Sequence, residues 1–99
     1  MPSKILRVIA TFRAKVGLEE IVQNELSSLL SPTRQEAGCI QYDLHQAMDD
    51  PKVFVFYEIW KSKQALDDHL AKPYLQSLIG KVAELFDVPP EIRFLDKLD

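Results

Sequence analysis

Residues 52–60 constrain the fold more than any other segment, because this run of β-branched and aromatic residues is apolar on both faces of the strand that it predicts. Successive side chains of a strand point to opposite faces. One face would carry four residues: Val53, Val55, Tyr57 and Ile59. The other would carry Phe54, Phe56 and Trp60, together with the carboxylate of Glu58. A strand with two apolar faces has to be covered on both faces of its sheet.

The remaining periodicities predict the order βαββαβ. Three further segments alternate as strands: residues 4–13, 39–46 and 91–98. Two segments repeat apolar residues at helical spacing: residues 18–30 and 65–86. On the second strand, Ile40, Tyr42 and Leu44 are expected on one face. The sequence Met-Asp-Asp-Pro at residues 48–51 predicts a turn, which makes the second and third strands an antiparallel hairpin.

Local signals mark the ends of the helices. Ser62 suits an N-cap, because its hydroxyl can accept a hydrogen bond from a free N–H of the first turn. Ser31-Pro32 either kinks the first helix or starts a short extra turn, and Pro73 either breaks or restarts the second. Pro89-Pro90 ends the helical region.

This order predicts an α+β fold with the ferredoxin-like split βαβ arrangement, built as a single domain over residues 1–99. The helices can cover only one face of the antiparallel sheet. The other apolar face would be a liability for a monomer. We therefore expect a homodimer that is joined through its sheets with two-fold symmetry.

Composition narrows the class of partner. The net charge is −3 and no basic stripe is present, which argues against nucleic acid. No apolar stretch approaches the ~20 residues of a membrane-spanning helix, and residues 1–12 have no signal-peptide cleavage pattern. Cys39 is alone, so an intramolecular disulfide is not expected. We expect a cytoplasmic protein with no nucleic-acid and no membrane partner.

Trp60 and Glu58 share one strand face and are the first residues that could carry chemistry. The Trp60 indole either fills the gap between sheet and helix or holds a flat substrate. Glu58, between Phe56 and Trp60, has to be neutralised, paired or exposed. Desolvation would raise its pKa towards the range of a general base, whereas a salt bridge to another strand would be structural.

His69 follows Leu66 by three residues on the apolar side of the second helix, so its ring is expected to point inward. The ring either carries a proton for a substrate or is satisfied by the backbone. Tyr42 and Tyr74 could each present a hydroxyl to a pocket, although core packing competes for both. His45 falls on the polar side of the second strand, where a surface or interface role fits better.

No cofactor or metal site is recognisable in the sequence. His45 and His69 lack metal-ligand spacing. Only three glycines occur, and they form neither a phosphate-binding loop nor a dinucleotide fingerprint. An enzyme with this sequence is therefore expected to work without a cofactor.

Three motifs resemble the antibiotic biosynthesis monooxygenase domain, and the resemblance spans essentially the whole chain. They are E-x-G-C-x-x-Y at residues 36–42, the pair Asp50-Pro51, and Y-E-x-W at residues 57–60 followed by His69. The family also includes quinol monooxygenases and haem-degrading monooxygenases. The resemblance implies a dimeric α+β barrel, in which two ferredoxin-like sheets pack face to face.

The resemblance also implies an oxygenation without flavin or metal, in which the deprotonated substrate passes an electron to O₂ inside an apolar pocket. It implies pocket roles for Trp60 and for His69, whose counterpart is the iron ligand in haem-degrading members. Those members place an Asn where this chain has Ala10, and polyketide-oxidising members place a Tyr where it has Leu66. The chain therefore resembles the quinol-oxidising branch best.

We expect a cofactor-independent monooxygenase that oxidises a small aromatic phenol or quinol with O₂. His69 and Trp60 are the predicted catalytic residues. Four residues are predicted to bind the substrate: Tyr42, Phe56, Glu58 and Tyr74. Two alternatives stay open, a dimer that binds a small molecule without turnover and an isomerase on the same scaffold. An isomerase would need an anion site, for which three arginines are available: Arg7, Arg13 and Arg93.

Overall fold

The computed structural model describes residues 5–99, in which a four-stranded antiparallel sheet carries helices on one face. The strands are β1 (Leu6–Arg13), β2 (Cys39–Gln46), β3 (Val53–Trp60) and β4 (Glu91–Leu95). The helices are α1 (Glu19–Ser27), α2 (Leu30–Arg34), α3 (Lys63–Leu70), α4 (Pro73–Ile79) and α5 (Val82–Leu85). The strand order β2-β3-β1-β4 confirms the predicted ferredoxin-like α+β fold. Lys4, predicted at the start of the first strand, lies outside the described residues.

The register of the sheet brings aromatic and polar residues of three strands together. β3 pairs with β1 on one side and with β2 on the other, both times antiparallel. Glu58 lies opposite Val8 of β1 and opposite Tyr42 of β2. Phe56, two residues earlier, lies opposite Ala10 of β1. These residues therefore sit side by side on the helix-facing side of the sheet.

Burial confirms the predicted alternation on β1 and β3. The buried side chains of these strands share the helix-facing side: Val8, Ala10, Phe12, Phe54, Phe56, Glu58 and Trp60. The helices cover them with buried aliphatic residues, among them Val22, Leu26, Leu66, Leu75 and Leu78. Burial of each large apolar side chain stabilises the fold by roughly 1.5–3 kcal/mol. The layer between sheet and helices is therefore the main source of stability.

The prediction that Ile40 shares one face of β2 with Tyr42 and Leu44 is wrong. The register shifts between Cys39 and Gln41, so Ile40 is an extra residue in a β-bulge and is 48% exposed. Cys39 takes the place on the helix-facing side, opposite Trp60, and Tyr42 keeps its predicted face. A bulge adds one residue to a strand without a partner across the ladder, which breaks the simple alternation.

The helices begin largely where predicted but are shorter than their apolar patterns. Ser62 caps α3, since its Oγ accepts a hydrogen bond from the Ala65 N–H at 3.1 Å. The first helical stretch is divided into α1 and α2, and Pro32 lies inside α2. Pro73 restarts the second stretch as the first residue of α4, where its missing N–H has no cost. The last strand ends at Leu95, before the predicted residue 98.

The sheet face turned away from the helices stays apolar. Its strand residues Ile9, Val53, Val55, Tyr57 and Ile59 are only partly buried, whereas their neighbours on the other face are buried. This is the face that the sequence predicts to be covered by a second subunit, and the dimer stays a prediction. Within residues 5–99, no helix combines the length and the apolar character that crossing a bilayer requires.

Candidate active site

A cavity of about 110 Å³ lies between the helix-facing side of the sheet and helices α3 and α4. Its wall is mainly aliphatic and aromatic, and three polar side chains reach it: Tyr42, Glu58 and His69. Ala10 and Leu66 are both part of this apolar wall. An apolar enclosure with a few oriented polar groups is the usual form of a small-molecule site.

The structure brings four of the six predicted site residues into the wall of this cavity. They are Tyr42, Phe56, Glu58 and His69. Trp60 lies behind the wall, where its ring packs on that of His69 with the centroids 4.5 Å apart. Tyr74 also lies away from the wall. Trp60 thus contacts His69, which faces the cavity. Tyr74 holds the same ring indirectly, through a hydrogen bond to Glu36.

Glu58 is a buried carboxyl group that lies beside the cavity and is held by Trp60. The residue is 5% exposed, and the Trp60 Nε1–H donates a hydrogen bond to Glu58 Oε1 at 2.9 Å. Burial raises the pKa of Glu58 to about 7, although the Trp60 hydrogen bond opposes this, and the charge of Glu36 raises the pKa further. The salt bridge considered from sequence is not formed within residues 5–99. Glu58 therefore changes its protonation state near neutral pH.

His69 is enclosed between two aromatic rings and a carboxylate. It is 2% exposed, with the Trp60 ring on one side and the Tyr42 ring 5.4 Å away at 66°. Its Nδ1 lies 2.9 Å from Glu36 Oε2. Burial lowers the pKa of His69, the contact with Glu36 opposes this, and Lys72 lowers the pKa further. The ring is therefore neutral at neutral pH.

The contact with Glu36 also settles which nitrogen of His69 can act as a base. A carboxylate has no proton to donate, so Nδ1 carries the hydrogen and donates it to Glu36. The lone pair of the neutral ring is then on Nε2. Within residues 5–99, the hydrogen bond of the His69 ring is the one at Nδ1. Nε2 is thus free to accept a proton from a molecule in the cavity.

Glu36 is the residue that the sequence interpretation did not assign to the site. It lies in the turn between α2 and β2, and its side chain is 8% exposed. Its Oε2 accepts one hydrogen bond from His69 Nδ1 and a second from the Tyr74 hydroxyl at 2.5 Å. Glu36 opens the E-x-G-C motif, which marked the position but not its partners. Those partners are 33 and 38 residues away along the chain.

Gly38 explains how the turn that carries Glu36 comes so close to α3. A Cβ atom at Gly38 would lie 2.3 Å from the Cβ of Ala65, well inside van der Waals contact. The Gly38 carbonyl also accepts a hydrogen bond from the Lys61 N–H at 2.9 Å. Gly38 packs against Ala65, a small residue on α3, and this close approach brings Glu36 to the ring of His69.

The two tyrosines have pKa values above the ordinary range of a phenol. Burial raises the pKa of Tyr42, and the charge of Glu58 raises it further. The Tyr42 ring stacks on Phe56 with the centroids 4.5 Å apart. Burial also raises the pKa of Tyr74, together with its hydrogen bond to Glu36. Both hydroxyls are therefore protonated donors at neutral pH.

Several polar residues weighed from the sequence lie elsewhere. Arg7, Arg13 and Arg93 occupy strand positions that point away from the cavity. Arg13 pairs with Asp50 and Asp87, and Arg93 pairs with Glu91. His45 is exposed, with its Nδ1 3.2 Å from the Val55 carbonyl oxygen. Among the residues that the structure describes, the cavity wall has no arginine, and its polar groups are one histidine, one carboxyl group and one phenol.

The fold and the site together define a small ferredoxin-like domain with an apolar cavity and a buried histidine. Residues 5–81 match the family described as Antibiotic biosynthesis monooxygenase, and the chain belongs to this family. Two bacterial relatives are named provisionally as monooxygenases. Rv0793 of Mycobacterium tuberculosis is 33% identical over 92 residues, which cover 93% of this chain and 90% of the relative. YcnE of Bacillus subtilis is 30% identical over 83 residues, which cover 84% of this chain and 87% of the relative.

Solved structures of similar proteins have the same fold over almost the whole chain. PA3566 from Pseudomonas aeruginosa is 34% identical, with a TM-score of 0.92 over 100% of this chain and 99% of that protein. The structure of Rv0793 gives a TM-score of 0.89 at 32% identity over 96% of both chains. Another relative, sll1783 from Synechocystis, is 33% identical over 66 residues, and the match spans 67% of this chain and 45% of the relative.

Proposed function

We propose that this protein is a cofactor-independent monooxygenase that oxidises a small phenol or quinol with O₂. The main observation in support is His69, which lines an apolar cavity and whose Nδ1 is bound to Glu36, so that the lone pair of the ring is on Nε2. Membership of the monooxygenase family and the names of two relatives support a function of this general kind. The choice of a phenol follows from the chemistry of the cavity, since a weakly acidic O–H suits a neutral imidazole base.

The substrate ring would lie against Phe56 and the aliphatic wall, with one hydroxyl directed to His69 Nε2. The protonated Tyr42 hydroxyl and Glu58 would bind a second oxygen of a quinol. Trp60 would hold both Glu58 and His69, because it donates to one and packs on the other. Catalytic residues held by such packing keep the geometry that proton transfer requires.

The first step is the transfer of the phenolic proton to His69 Nε2. A histidine whose pKa is lowered by burial is neutral at pH 7 and is ready to accept this proton. The phenolate that forms is a far better electron donor than the phenol. The apolar wall of the cavity suits both O₂ and the aromatic ring of the phenolate.

The oxidation then balances without another redox group. The phenolate gives one electron to O₂, and the resulting superoxide and phenoxyl radical combine to form a ring C–O bond. The peroxide takes one proton, its O–O bond breaks, and the ring C–H proton leaves with the departing oxygen as water. The sum is quinol plus O₂ to hydroxyquinone plus water, so the substrate supplies all four electrons.

We include the two-fold dimer in the proposal. The partly buried apolar face of β1 and β3 offers a continuous surface that a second copy of the chain could cover. Measurement of the mass in solution at several protein concentrations tests this point. A monomer at micromolar concentrations would contradict it.

The function is tested by mixing the protein with menadiol under anaerobic conditions and then admitting ¹⁸O₂. Oxygen uptake faster than in buffer is expected, with one ¹⁸O atom in each hydroxylated quinone. His69→Ala should lose the acceleration, and His45→Ala, a histidine variant on an exposed position, should retain it. No acceleration by the wild type, or full activity of His69→Ala, would overturn the proposal. Quenching of the single tryptophan without oxygen uptake would instead support a binding protein.

A further inference from the structure

The two nitrogens of His69 connect two different spaces of the molecule. His69 lines the cavity, whereas its Nδ1 donates to Glu36 and leaves the lone pair on Nε2. Glu36 also lines a separate depression of about 360 Å³ that is open to solvent. This depression is bordered by Gly38, Lys61, Asp68 and Lys72 as well. The cavity and this depression are therefore linked by one imidazole and one carboxylate.

We propose that Glu36 and His69 form a proton relay between the cavity and solvent, with Tyr74 as a positioning residue. The inference rests on the proposed function in one respect, namely that a phenol gives up its proton in the cavity. The 2.9 Å contact between Nδ1 and Oε2 is short enough for direct transfer. The wall of the cavity is mainly apolar, with Tyr42 and Glu58 as its polar side chains besides His69.

Each transfer in the relay leaves the charges balanced. The phenol O–H bond breaks and its proton binds Nε2, while the Nδ1–H proton passes to Glu36 Oε2. Glu36 then releases its proton to water in the depression. When the peroxide needs a proton, the same transfers run in reverse, so that Nε2 gives up its proton and Nδ1 is protonated again. His69 thus returns to its starting tautomer after each turnover.

The surroundings of Glu36 suit a carboxylate that exchanges protons. The Tyr74 hydroxyl donates to the same Oε2 that faces His69, which fixes the orientation of the carboxylate. On the solvent side, Lys61 precedes α3, Asp68 lies on α3 and Lys72 caps α4. On the inner side, the charge of Glu36 acts on Glu58, Cys39 and Tyr42. The relay thus leads from the mainly apolar cavity to a depression that is bordered by several charged side chains.

The decisive variant is Glu36→Gln, because a carboxamide can still accept the Nδ1–H bond but cannot carry a proton. The first measurement is the absorption of bound 4-nitrophenol, which separates the yellow phenolate from the neutral phenol and needs no oxygen. The wild type should bind mainly the phenolate at a pH where the free compound is mainly neutral. Glu36→Gln should bind mainly the neutral phenol. Glu25→Gln, a change in a surface pair with Lys81, should behave as the wild type.

The second measurement is oxygen uptake with menadiol. Glu36→Gln is expected to slow it by about tenfold or more, since a positioned proton carrier typically contributes 10²–10⁴ in rate. Glu36→Ala should regain rate when formate is added, because the removed side chain leaves space that opens to the depression. Tyr74→Phe should have a smaller effect, because the phenol lies outside the route of the proton.

The outcomes separate the relay from the proposed function. Wild-type behaviour of Glu36→Gln in both measurements would overturn the relay and leave the monooxygenase proposal intact. Phenolate binding that depends on Glu36, without any oxygen uptake by the wild type, would support the relay and overturn the monooxygenase. If Glu36→Gln does not fold, Glu36→Asp replaces it, since the shortened carboxylate should weaken phenolate binding. Wild-type binding by Glu36→Asp would then refute the relay.

Discussion

Replacement of Glu58 by glutamine should stabilise the protein at alkaline pH and leave its stability almost unchanged at acidic pH. Glu58 is 5% exposed, and burial raises its pKa from 4.5 to about 7. The folded chain therefore binds a proton on Glu58 between these values, whereas the unfolded chain does not. Since the folded state binds more protons, its stability falls as the pH rises through this window. Glutamine mimics the protonated carboxyl and keeps an acceptor for the Trp60 N–H.

The magnitude follows from the shift in pKa. Each unit is equivalent to 1.36 kcal/mol, so ionisation of Glu58 costs the fold about 3 kcal/mol above pH 7. Glu58→Gln should recover most of this free energy at pH 8, which raises Tm by roughly 10 °C or more for a domain of this size. At pH 4.5 and below, both chains carry a neutral group at this position and should have nearly equal stability.

The assay is urea unfolding at a fixed protein concentration, at pH 4.5 and pH 8, for wild type, Glu58→Gln and Glu25→Gln. The difference between variant and wild type cancels the titration of His69, whose lowered pKa acts in the opposite direction. Glu25→Gln changes a partly exposed carboxylate paired with Lys81, so its effect should be small at both pH values. Equal stability of wild type and Glu58→Gln at pH 8 would refute the reasoning.

Three further outcomes are expected. Gly38→Ala should lower the free energy of unfolding in urea by about 1–3 kcal/mol, because the new Cβ would clash with Ala65. A second change, Ala65→Gly, should restore part of this loss. Additive effects of the two changes would contradict the contact. Ser62→Ala should cost about 1 kcal/mol through loss of the α3 cap, whereas Ser62→Asp should retain most of the stability. In an NMR titration, His69 should have a pKa below its ordinary value of 6.5. Glu36→Gln should lower the pKa of His69 further, because the hydrogen bond and the charge of Glu36 raise it. A higher pKa of His69 in Glu36→Gln would show that the contact is absent in solution.

The sequence was sufficient for the fold class and for the part of the site that lies on β3. Alternation on β3 assigned Phe56, Glu58 and Trp60 to one face, and all three are buried there. The helical spacing of His69 after Leu66 likewise predicted an inward ring, and both residues line the cavity. These inferences succeed because they depend only on the period of one element.

The parts that could not be predicted depend on contacts between elements. Glu36 had no assigned role because its hydrogen bonds to His69 and Tyr74 join a turn to two later helices. The salt bridge considered for Glu58 gave way to a hydrogen bond from Trp60, two residues away on the same strand. The face of Ile40 was wrong because nothing in the local composition marks a bulge. Each case needs the relative placement of neighbouring strands and turns.

The bulge at Ile40 gives β2 a position where its length can change without disturbing the cavity. Removal of this one residue, which itself is exposed, would leave Cys39 opposite Trp60, Gln41 opposite Ile59 and Tyr42 opposite Glu58 in an uninterrupted ladder. Cys39 and Tyr42 would then face the helices through the regular alternation of the strand. Among related chains, loss or gain of a residue at this point is therefore expected to leave the aromatic hydroxyl of the site in place. The outer surface of the sheet can thus vary at the bulge while the residues of the cavity wall keep their register.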